Sequence, residues 1–334
     1  MAERPTGIDV HAHLFPQSAV NAAETGRDWF GVPMSLNAQG RPVAELNGKA
    51  MAFGSPVHLE PPGRRVERMT AMGVARQLVS VLPPLYQYGR DGAQRVAALR
   101  TVNDEIAEMM TAFPDRFGGL AALPLPDVDA SLAELKRTHD LGFAGIAIGT
   151  HVNGVNWDAE SLFPVLEAAE AHRSLVLVHP VFPRCGDATK RHYLGNLIGN
   201  PYETTVAVAS LVLGGVLDRL PGLRLVLAHG GGYTAFGIGR IDHGRAVRDE
   251  ITAPAGVPSD YLKSLHFDTL THSPAALRYL IDEVGAGQVV LGTDYPSDMG
   301  DDDPVRRLES YSWLSDEDRA LILAGNVQRL LGDA

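Results

Sequence analysis

Histidine and aspartate side chains end several short apolar runs of this 334-residue chain. His11 and His13 end the first run, and His179, His229 and Asp294 end three later ones. Imidazole nitrogens and carboxylate oxygens are ligands of catalytic zinc, which keeps one position open for water or substrate. The pattern therefore indicates a metal centre with a proton-transfer group beside it.

His11 and His13 are the sharpest local feature. Residues i and i+2 of a β-strand point to the same side, so the two imidazoles would face one metal ion together. His179 and Asp294 complete a set of three histidines and one aspartate. The alternative is that these are core histidines at strand ends, since a single His-x-His is common by chance. Four such strand ends in one chain favour the metal site.

The segment 148–153 bears on the number of metal ions. It contains no lysine, whose carbamylated form would bridge two metals, so we expect one metal. We predict that His151 in this segment makes a structural hydrogen bond and does not bind the metal. The donor set suits zinc, which we expect, and also admits manganese.

His229 precedes three consecutive glycines, which let the backbone approach another group closely. Because imidazole titrates near neutral pH, we predict that His229 acts as a general base or acid beside the open metal position. The alternative is that it serves as a fifth ligand or hydrogen-bonds to a ligand.

Strand-like and helix-like segments alternate along the chain. Short apolar runs predict strands at 8–10, 76–82, 119–123, 145–148, 175–178, 223–228, 265–268 and 289–291. Amphipathic stretches predict helices at 93–112, 130–140, 159–171, 203–219, 275–283 and 317–331. This alternation is typical of a parallel sheet, and eight strands favour a single α/β domain over 1–334, a (β/α)₈ TIM barrel. Active sites of such barrels form at the carboxyl ends of the strands, where the histidines and the aspartate stand.

Residues 15–62 interrupt the alternation with Gly, Pro and Asn and little periodicity. We interpret them as an insertion after the first strand. It forms either a hairpin cap over the barrel mouth or a surface excursion.

Composition excludes several classes of protein. Hydrophobic residues make up 45% and charged residues 21%, as in an ordinary globular protein. The net charge of −11 disfavours nucleic acid and anionic membranes as partners, and the lone Cys185 cannot form an intramolecular disulfide. No apolar run approaches the roughly 20 residues of a membrane span, and no secretory signal is evident. We expect a cytoplasmic protein.

Five stretches resemble a known family: 9–13 (DVHAH), 144–153 (AGIAIGTHVN), 203–215, 228–239 (AHGGGYTAFGIG) and 290–296 (VLGTDYP). The chain resembles the amidohydrolase superfamily, in its amidohydrolase-2 branch, and in particular the aminocarboxymuconate-semialdehyde decarboxylases. The resemblance extends from about residue 7 to about residue 331 and is weak in the insertion.

The resemblance implies a role for each matching residue. A single metal, usually zinc, would be held by His11, His13, His179 and Asp294. His229 would be the catalytic histidine, and Asp294 would take part in catalysis as well as in metal binding. Arg240 would bind a substrate carboxylate across a dimer interface, so the resemblance also implies a homodimer with composite sites.

Two positions depart from the family decarboxylase. In its insertion, the family decarboxylase has an arginine that binds a carboxylate, and this chain has no arginine at the corresponding positions around Phe53. Asn196 stands where the family decarboxylase has a tryptophan that lines the substrate. We expect Phe53 and Asn196 to contact a different substrate. Arg184 is a further candidate for binding an anion, its alternative being a solvated surface charge.

These features predict a metal-dependent, non-oxidative decarboxylase of a small unsaturated or aromatic carboxylic acid. The alternatives are hydrolysis or hydration by the same metal centre, and a binding module without catalysis.

Overall fold

Eight parallel strands form the centre of the structure, a computed structural model that describes residues 6–46, 48–53, 56–90 and 92–332. The barrel strands are β1 (Gly7–Leu14), β5 (Val74–Val81), β6 (Phe117–Ala122), β7 (Gly145–Gly149), β8 (Leu175–His179), β9 (Arg224–Leu227), β10 (Leu265–Asp268) and β11 (Val289–Val290). They pair in the order β1-β5-β6-β7-β8-β9-β10-β11. The predicted α/β barrel is confirmed.

Backbone hydrogen bonds join the two ends of this sheet. Val10 N donates to Leu291 O at 2.9 Å, and His13 N donates to Tyr295 O at 2.7 Å. Asp294 N donates to His11 O at 2.7 Å, so the segment after β11 lies beside the ligand-bearing end of β1. These hydrogen bonds between β1 and the segment around β11 therefore bring His11, His13 and Asp294 together.

The helices surround the strands. They are α1 (Gln17–Thr25), α2 (Pro62–Ala71), α3 (Gly92–Ala112), α4 (Val128–Asp140), α5 (Phe163–Ala171), α6 (Asn200–Leu213), α7 (Val216–Arg219), α8 (Thr234–Val247), α9 (Pro274–Val284), α10 (Pro304–Glu309), α11 (Asp316–Ala320) and α12 (Asn326–Leu331). The strands are buried on both faces, as their continuous apolar runs predict; every residue of β7 and β8 is buried.

Within the described residues, no helix combines the length and the apolar character needed to cross a membrane.

Several helix predictions are corrected by the structure. The helix predicted at 203–219 is divided into α6 and α7, because Gly215 adopts a left-handed φ of 70°. The helix predicted at 317–331 is divided by a π-helical turn, Leu321–Gly325, and the one predicted at 159–171 begins only at Phe163. Helix α8 was not predicted at all, because its three glycines weaken the helical pattern.

The insertion predicted at 15–62 contains α1 and a small antiparallel sheet of β2 (Met34–Leu36), β3 (Pro42–Leu46) and β4 (Lys49–Ala52). Positions 47, 54 and 55 of it lie outside the described residues. Phe53 is buried and stacks on Phe15, with ring centroids 5.3 Å apart. A cap over the mouth stays a prediction for this sheet.

Candidate metal centre

Four buried side chains meet at the carboxyl end of the barrel, and we call them the ligand cluster: His11, His13, His179 and Asp294. One potential ligand atom from each lies within 4.8 Å of all the others. Asp294 Oδ1 is 3.0 Å from His13 Nε2 and 3.4 Å from His11 Nε2. The structure thus brings together, in one place, the three histidines and the aspartate that the sequence predicts as ligands.

Each histidine of the ligand cluster presents the same nitrogen to the centre. Nδ1 of His11 lies 2.7 Å from Asp268 Oδ2, that of His13 lies 3.0 Å from Ser80 Oγ, and that of His179 lies 2.8 Å from Pro180 O. The Nε2 atoms are buried and make no hydrogen bond to the part of the chain that is described. An Nδ1–H that donates outward leaves the Nε2 lone pair facing the centre, as in metal-binding histidines. The donor set therefore fits a metal ion.

The pKa values of the three imidazoles of the ligand cluster shift in different directions. Burial lowers the pKa of His13 to about 4 and holds the pKa of His179 well below its usual value. Burial acts on His11 in the same direction, but the carboxylates of Asp294 and Asp268 outweigh it and raise the pKa of His11 to about 10. Burial thus favours the neutral form of His13 and His179, which ligation requires, and the carboxylates that raise the pKa of His11 supply negative charge that attracts a cation.

His229 lies beside the ligand cluster. Its ring centroid is 5.1 Å from that of His11 and 5.0 Å from that of His179, and its Nε2 is 3.8 Å from Asp294 Oδ2. The His229 side chain is 18% exposed, whereas those of His11 and His13 are fully buried. His229 is therefore the histidine of this centre with the greatest exposure to solvent.

The turn that carries His229 is conformationally unusual. His229 has a φ of 58°, in the left-handed region that few residues other than glycine adopt, and Gly230 to Gly232 also have positive φ. A Cβ on Gly232 would lie 2.2 Å from Pro201 O, so the glycine permits the close approach to α6. The glycines predicted to allow a close backbone contact do so here, and the turn directs His229 toward the cluster.

Asp268, the last residue of β10, contacts this centre although the sequence analysis assigned it no role. Its Oδ2 faces His11 Nδ1 and accepts from His229 N at 3.0 Å, while its Oδ1 accepts from Gly230 N at 2.7 Å. One fully buried carboxylate thus orients a ligand and the turn of the catalytic candidate. Its position at the carboxyl end of a barrel strand was the signal that could have identified it.

Asp9 organises the ligand cluster from the other side. Its Oδ1 accepts from His11 N at 3.0 Å and from Thr293 N at 3.1 Å, and its Oδ2 accepts from Thr293 Oγ1 at 2.6 Å. Gln77 Nε2 donates to the same Oδ2 at 2.9 Å, and burial raises the pKa of Asp9 to about 6. Asp9 therefore ties β1 to the segment that carries Asp294.

A cavity of about 460 Å³ opens beside His229, and we call it the His229 cavity. Its lining includes Asn196, Leu197, Tyr233, Phe236, His272 and Tyr279. Asn196, predicted to contact substrate, is half-buried in this wall. Phe53, predicted likewise, does not line this cavity and packs on Phe15 instead. Arg240 is exposed on α8 and does not line it either.

Arg184 and His151 have structural partners. The Arg184 guanidinium bonds the buried Glu203 carboxylate, with Nη2 and Oε2 2.8 Å apart, and its Nη1 donates to Gly154 O and Asn156 Oδ1. These bonds give Arg184 a structural role, and binding of a substrate anion through Arg184 stays a prediction. His151 Nδ1 accepts from Gly154 N at 3.1 Å, and His151 is not among the clustered potential ligands. The structural hydrogen bond predicted for His151 is confirmed.

Comparison with known proteins identifies the family. Residues 8–332 match the family model Amidohydro_2, described as amidohydrolase. The 2-amino-3-carboxymuconate-6-semialdehyde decarboxylase of Dictyostelium discoideum is 33% identical over 98% of this chain and 92% of its own length. The resemblance predicted from the sequence motifs is thereby confirmed.

Solved structures agree with the fold. The 5-carboxyvanillate decarboxylase of Sphingomonas paucimobilis superposes with a TM-score of 0.83 over 98% of this chain and 99% of that chain, at 24% identity. The dihydroxybenzoic acid decarboxylase of Polaromonas sp. JS666, solved with manganese and the inhibitor 2-nitroresorcinol, has a TM-score of 0.79 at 25% identity, over 98% of this chain and 96% of that chain.

Proposed function

Since the chain belongs to the amidohydrolase family, we propose that it is a metal-dependent, non-oxidative decarboxylase of a small unsaturated or aromatic carboxylic acid. The observation that carries the proposal is the ligand cluster, with His229 and an open cavity directly beside it. The decarboxylase activity of the Dictyostelium relative, 33% identical over nearly the whole chain, supports the same reaction class.

The metal that we propose is zinc, held by three imidazole nitrogens and one carboxylate. The manganese in the Polaromonas relative makes manganese the alternative, because the same donor set accepts both. When bound, the metal would act as a Lewis acid that holds substrate oxygens and stabilises negative charge. Elemental analysis of the purified protein separates the two metals.

We propose that His229 transfers the proton of the reaction. Loss of carbon dioxide breaks the bond between the carboxyl carbon and its neighbour and leaves the electron pair on that neighbour. This carbon must gain one proton, which His229 Nε2 would deliver from its position at the mouth of the His229 cavity. Asp294 Oδ2, 3.8 Å from Nε2, would keep the imidazole oriented.

A test of this role compares two histidine variants. His229→Ala should abolish turnover and keep the metal near stoichiometric, because four ligands remain. His139→Ala, which removes an exposed imidazole from α4, is the matched control and should leave turnover unchanged. Loss of metal in His229→Ala would make His229 a ligand and contradict its role as the proton donor.

The product identifies the reaction class. We would incubate the metal-loaded protein with muconate-like and hydroxybenzoate-like acids and measure carbon dioxide release. Addition of water without carbon dioxide would make the protein a hydrolase or hydratase. Metal binding without any product would contradict an enzymatic role.

We propose that Arg240 completes the site of a partner subunit in a homodimer. Arg240 is exposed on α8, near a surface of exposed apolar side chains: Leu197, Ile198, Tyr202, Tyr233, Phe236 and Tyr279. Phe236 is 83% exposed, and apolar surfaces of this kind are typical of protein interfaces. A second copy of the chain would cover this surface and place its Arg240 near the His229 cavity.

Mixing two impaired variants tests the composite site. In a mixed dimer of Arg240→Ala and His229→Ala subunits, one site would have an intact His229 and receive the partner's intact Arg240. We expect the mixture to regain part of the activity after subunit exchange, as measured by carbon dioxide release. Activity that stays at the sum of the two separate variants would contradict shared sites.

A further inference from the structure

A second cavity, of about 150 Å³, lies at the carboxyl ends of β5, β7 and β8, and we call it the donor cavity. Its lining includes Leu46, Tyr86, Gln87, Arg90, His151 and Phe182, and it shares no lining residue with the His229 cavity. Val181, which also lines it, follows the metal ligand His179 by two residues. The donor cavity thus opens on the same end of the barrel as the ligand cluster.

Two polar side chains of this cavity are buried without partners. Tyr86 is 1% exposed and Gln87 is 4% exposed. Tyr86 Oη and both polar atoms of the Gln87 amide make no hydrogen bond to any described residue. Buried polar groups in native proteins are nearly always hydrogen-bonded, so this concentration of unused groups indicates a ligand or ordered water.

Most of the unused groups of this cavity can donate a hydrogen bond. Tyr86 offers a hydroxyl proton, and Gln87 offers two amide protons, whereas Gln87 Oε1 accepts. An occupant with acceptor oxygens would use these donors, and an ordered water would donate to Gln87 Oε1.

The charges of the lining residues indicate what kind of group occupies the donor cavity. Arg90 contributes a cation to the wall, and its Nε is also buried without a partner in the described chain. The described lining residues include no aspartate or glutamate, although the chain as a whole carries a net charge of −11. An anionic group with two acceptor oxygens matches this arrangement, because hydrogen bonds to a charged acceptor are about twice as strong as neutral ones.

The wall of the donor cavity is held in place. Tyr86 stacks on Tyr88 with ring centroids 5.5 Å apart, and Tyr88 Oη accepts from Gly149 N at 3.0 Å. Gln87 has a φ of 57°, so the backbone turns sharply where its amide enters the cavity. A preorganised set of donors binds an anion with little loss of conformational entropy.

We propose that the donor cavity binds a carboxylate group. This carboxylate belongs either to the far end of the substrate or to a separate small acid. The first source rests on the proposed function and makes the substrate a dicarboxylic acid; the second does not depend on it.

Calorimetric titration of the metal-loaded protein tests the proposal. The probes are propionate and the linear dicarboxylates with three to six carbons. Tyr86→Phe removes one donor and keeps the ring, and Tyr311→Phe makes the same change at a half-buried tyrosine outside the cavity. Loss of one hydrogen bond to a charged group should weaken carboxylate binding about tenfold in Tyr86→Phe. Tyr311→Phe should bind as wild type does.

The pattern of losses distinguishes the two sources. If the carboxylate belongs to the substrate, one dicarboxylate should bind more tightly than propionate, and Tyr86→Phe should remove that advantage. If it belongs to a separate acid, propionate and the dicarboxylates should lose the same factor. Gln87→Asn, which withdraws the amide and tolerates the positive φ, should reproduce the Tyr86→Phe result.

Binding that is equal in all variants, or absent from the wild type, overturns the proposal and assigns the cavity to water. Equal thermal midpoints and metal contents confirm that the variants fold. Calorimetry needs no turnover, so failure of the proposed decarboxylation is recorded separately by the carbon dioxide assay.

Discussion

The ligand cluster and the His229 cavity lie side by side but are built differently. Every side chain of the cluster is buried, and its three imidazoles are fixed by Asp268, Ser80 and the Pro180 carbonyl. The cavity wall includes exposed side chains such as Phe236 and Leu197, which belong to helices and not to the strands. The capacity to bind metal therefore depends on the core, whereas the choice of substrate depends on surface elements.

Asp294→Ala gives the largest effect expected from this contrast. It removes the only carboxylate of the ligand cluster, so we expect loss of most bound metal and activity at background level. Metal content by elemental analysis is the measurement. His151→Ala is the control, because His151 lies outside the cluster; equal metal loss in both variants would contradict the ligand assignment.

Asp268→Asn tests whether a residue that hydrogen-bonds to a ligand matters as much for metal binding as the ligands themselves. The amide keeps the shape but replaces one oxygen that faces His11 Nδ1 and His229 N. We expect metal affinity or kcat to fall about 10- to 100-fold, the usual cost of losing such a partner. Competition with a chelator measures the affinity. Asp260→Asn, at an exposed position of the short helical segment Pro258–Ser264, should change neither quantity, and an effect of equal size there would refute the role of Asp268.

Asn196→Ala tests the cavity wall. The side chain is half-buried beside His229, and a substrate contact there is worth about 1 kcal/mol, or roughly fivefold in KM. We expect that increase in KM with a full complement of metal, from steady-state kinetics on the acid that the product screen identifies. Loss of metal would show that the wall and the cluster are not independent.

Arg184→Met should change folding stability and leave catalysis intact. It leaves the Glu203 carboxylate, which has no exposed surface, without its cation. Because Arg184 itself is 30% exposed, we expect the free energy of unfolding to fall by about 2 kcal/mol, less than for a fully buried pair. Urea denaturation measures the loss of stability. A higher KM at unchanged stability would contradict this structural role and indicate that Arg184 contacts the substrate.

The sequence predicted the strands and the ligands for a common reason. Short β-branched runs are recognisable in isolation, and the residue that ends such a run in a barrel faces the active site. The division of the helix at Gly215, the presence of α8 and the helical turn at 321–325 were missed, because those local preferences are weak and packing decides them.

The chain alone determined which residue types stand at the strand ends, and hence that a metal centre with an adjacent histidine was expected. Only the folded barrel decided which carboxylate pairs with which basic side chain. Asp268 contacts His11, 257 positions away in sequence, and Glu203 bonds Arg184, 19 positions away. Such pairings depend on distances that exist only after the sheet closes, and no local pattern along the chain encodes them.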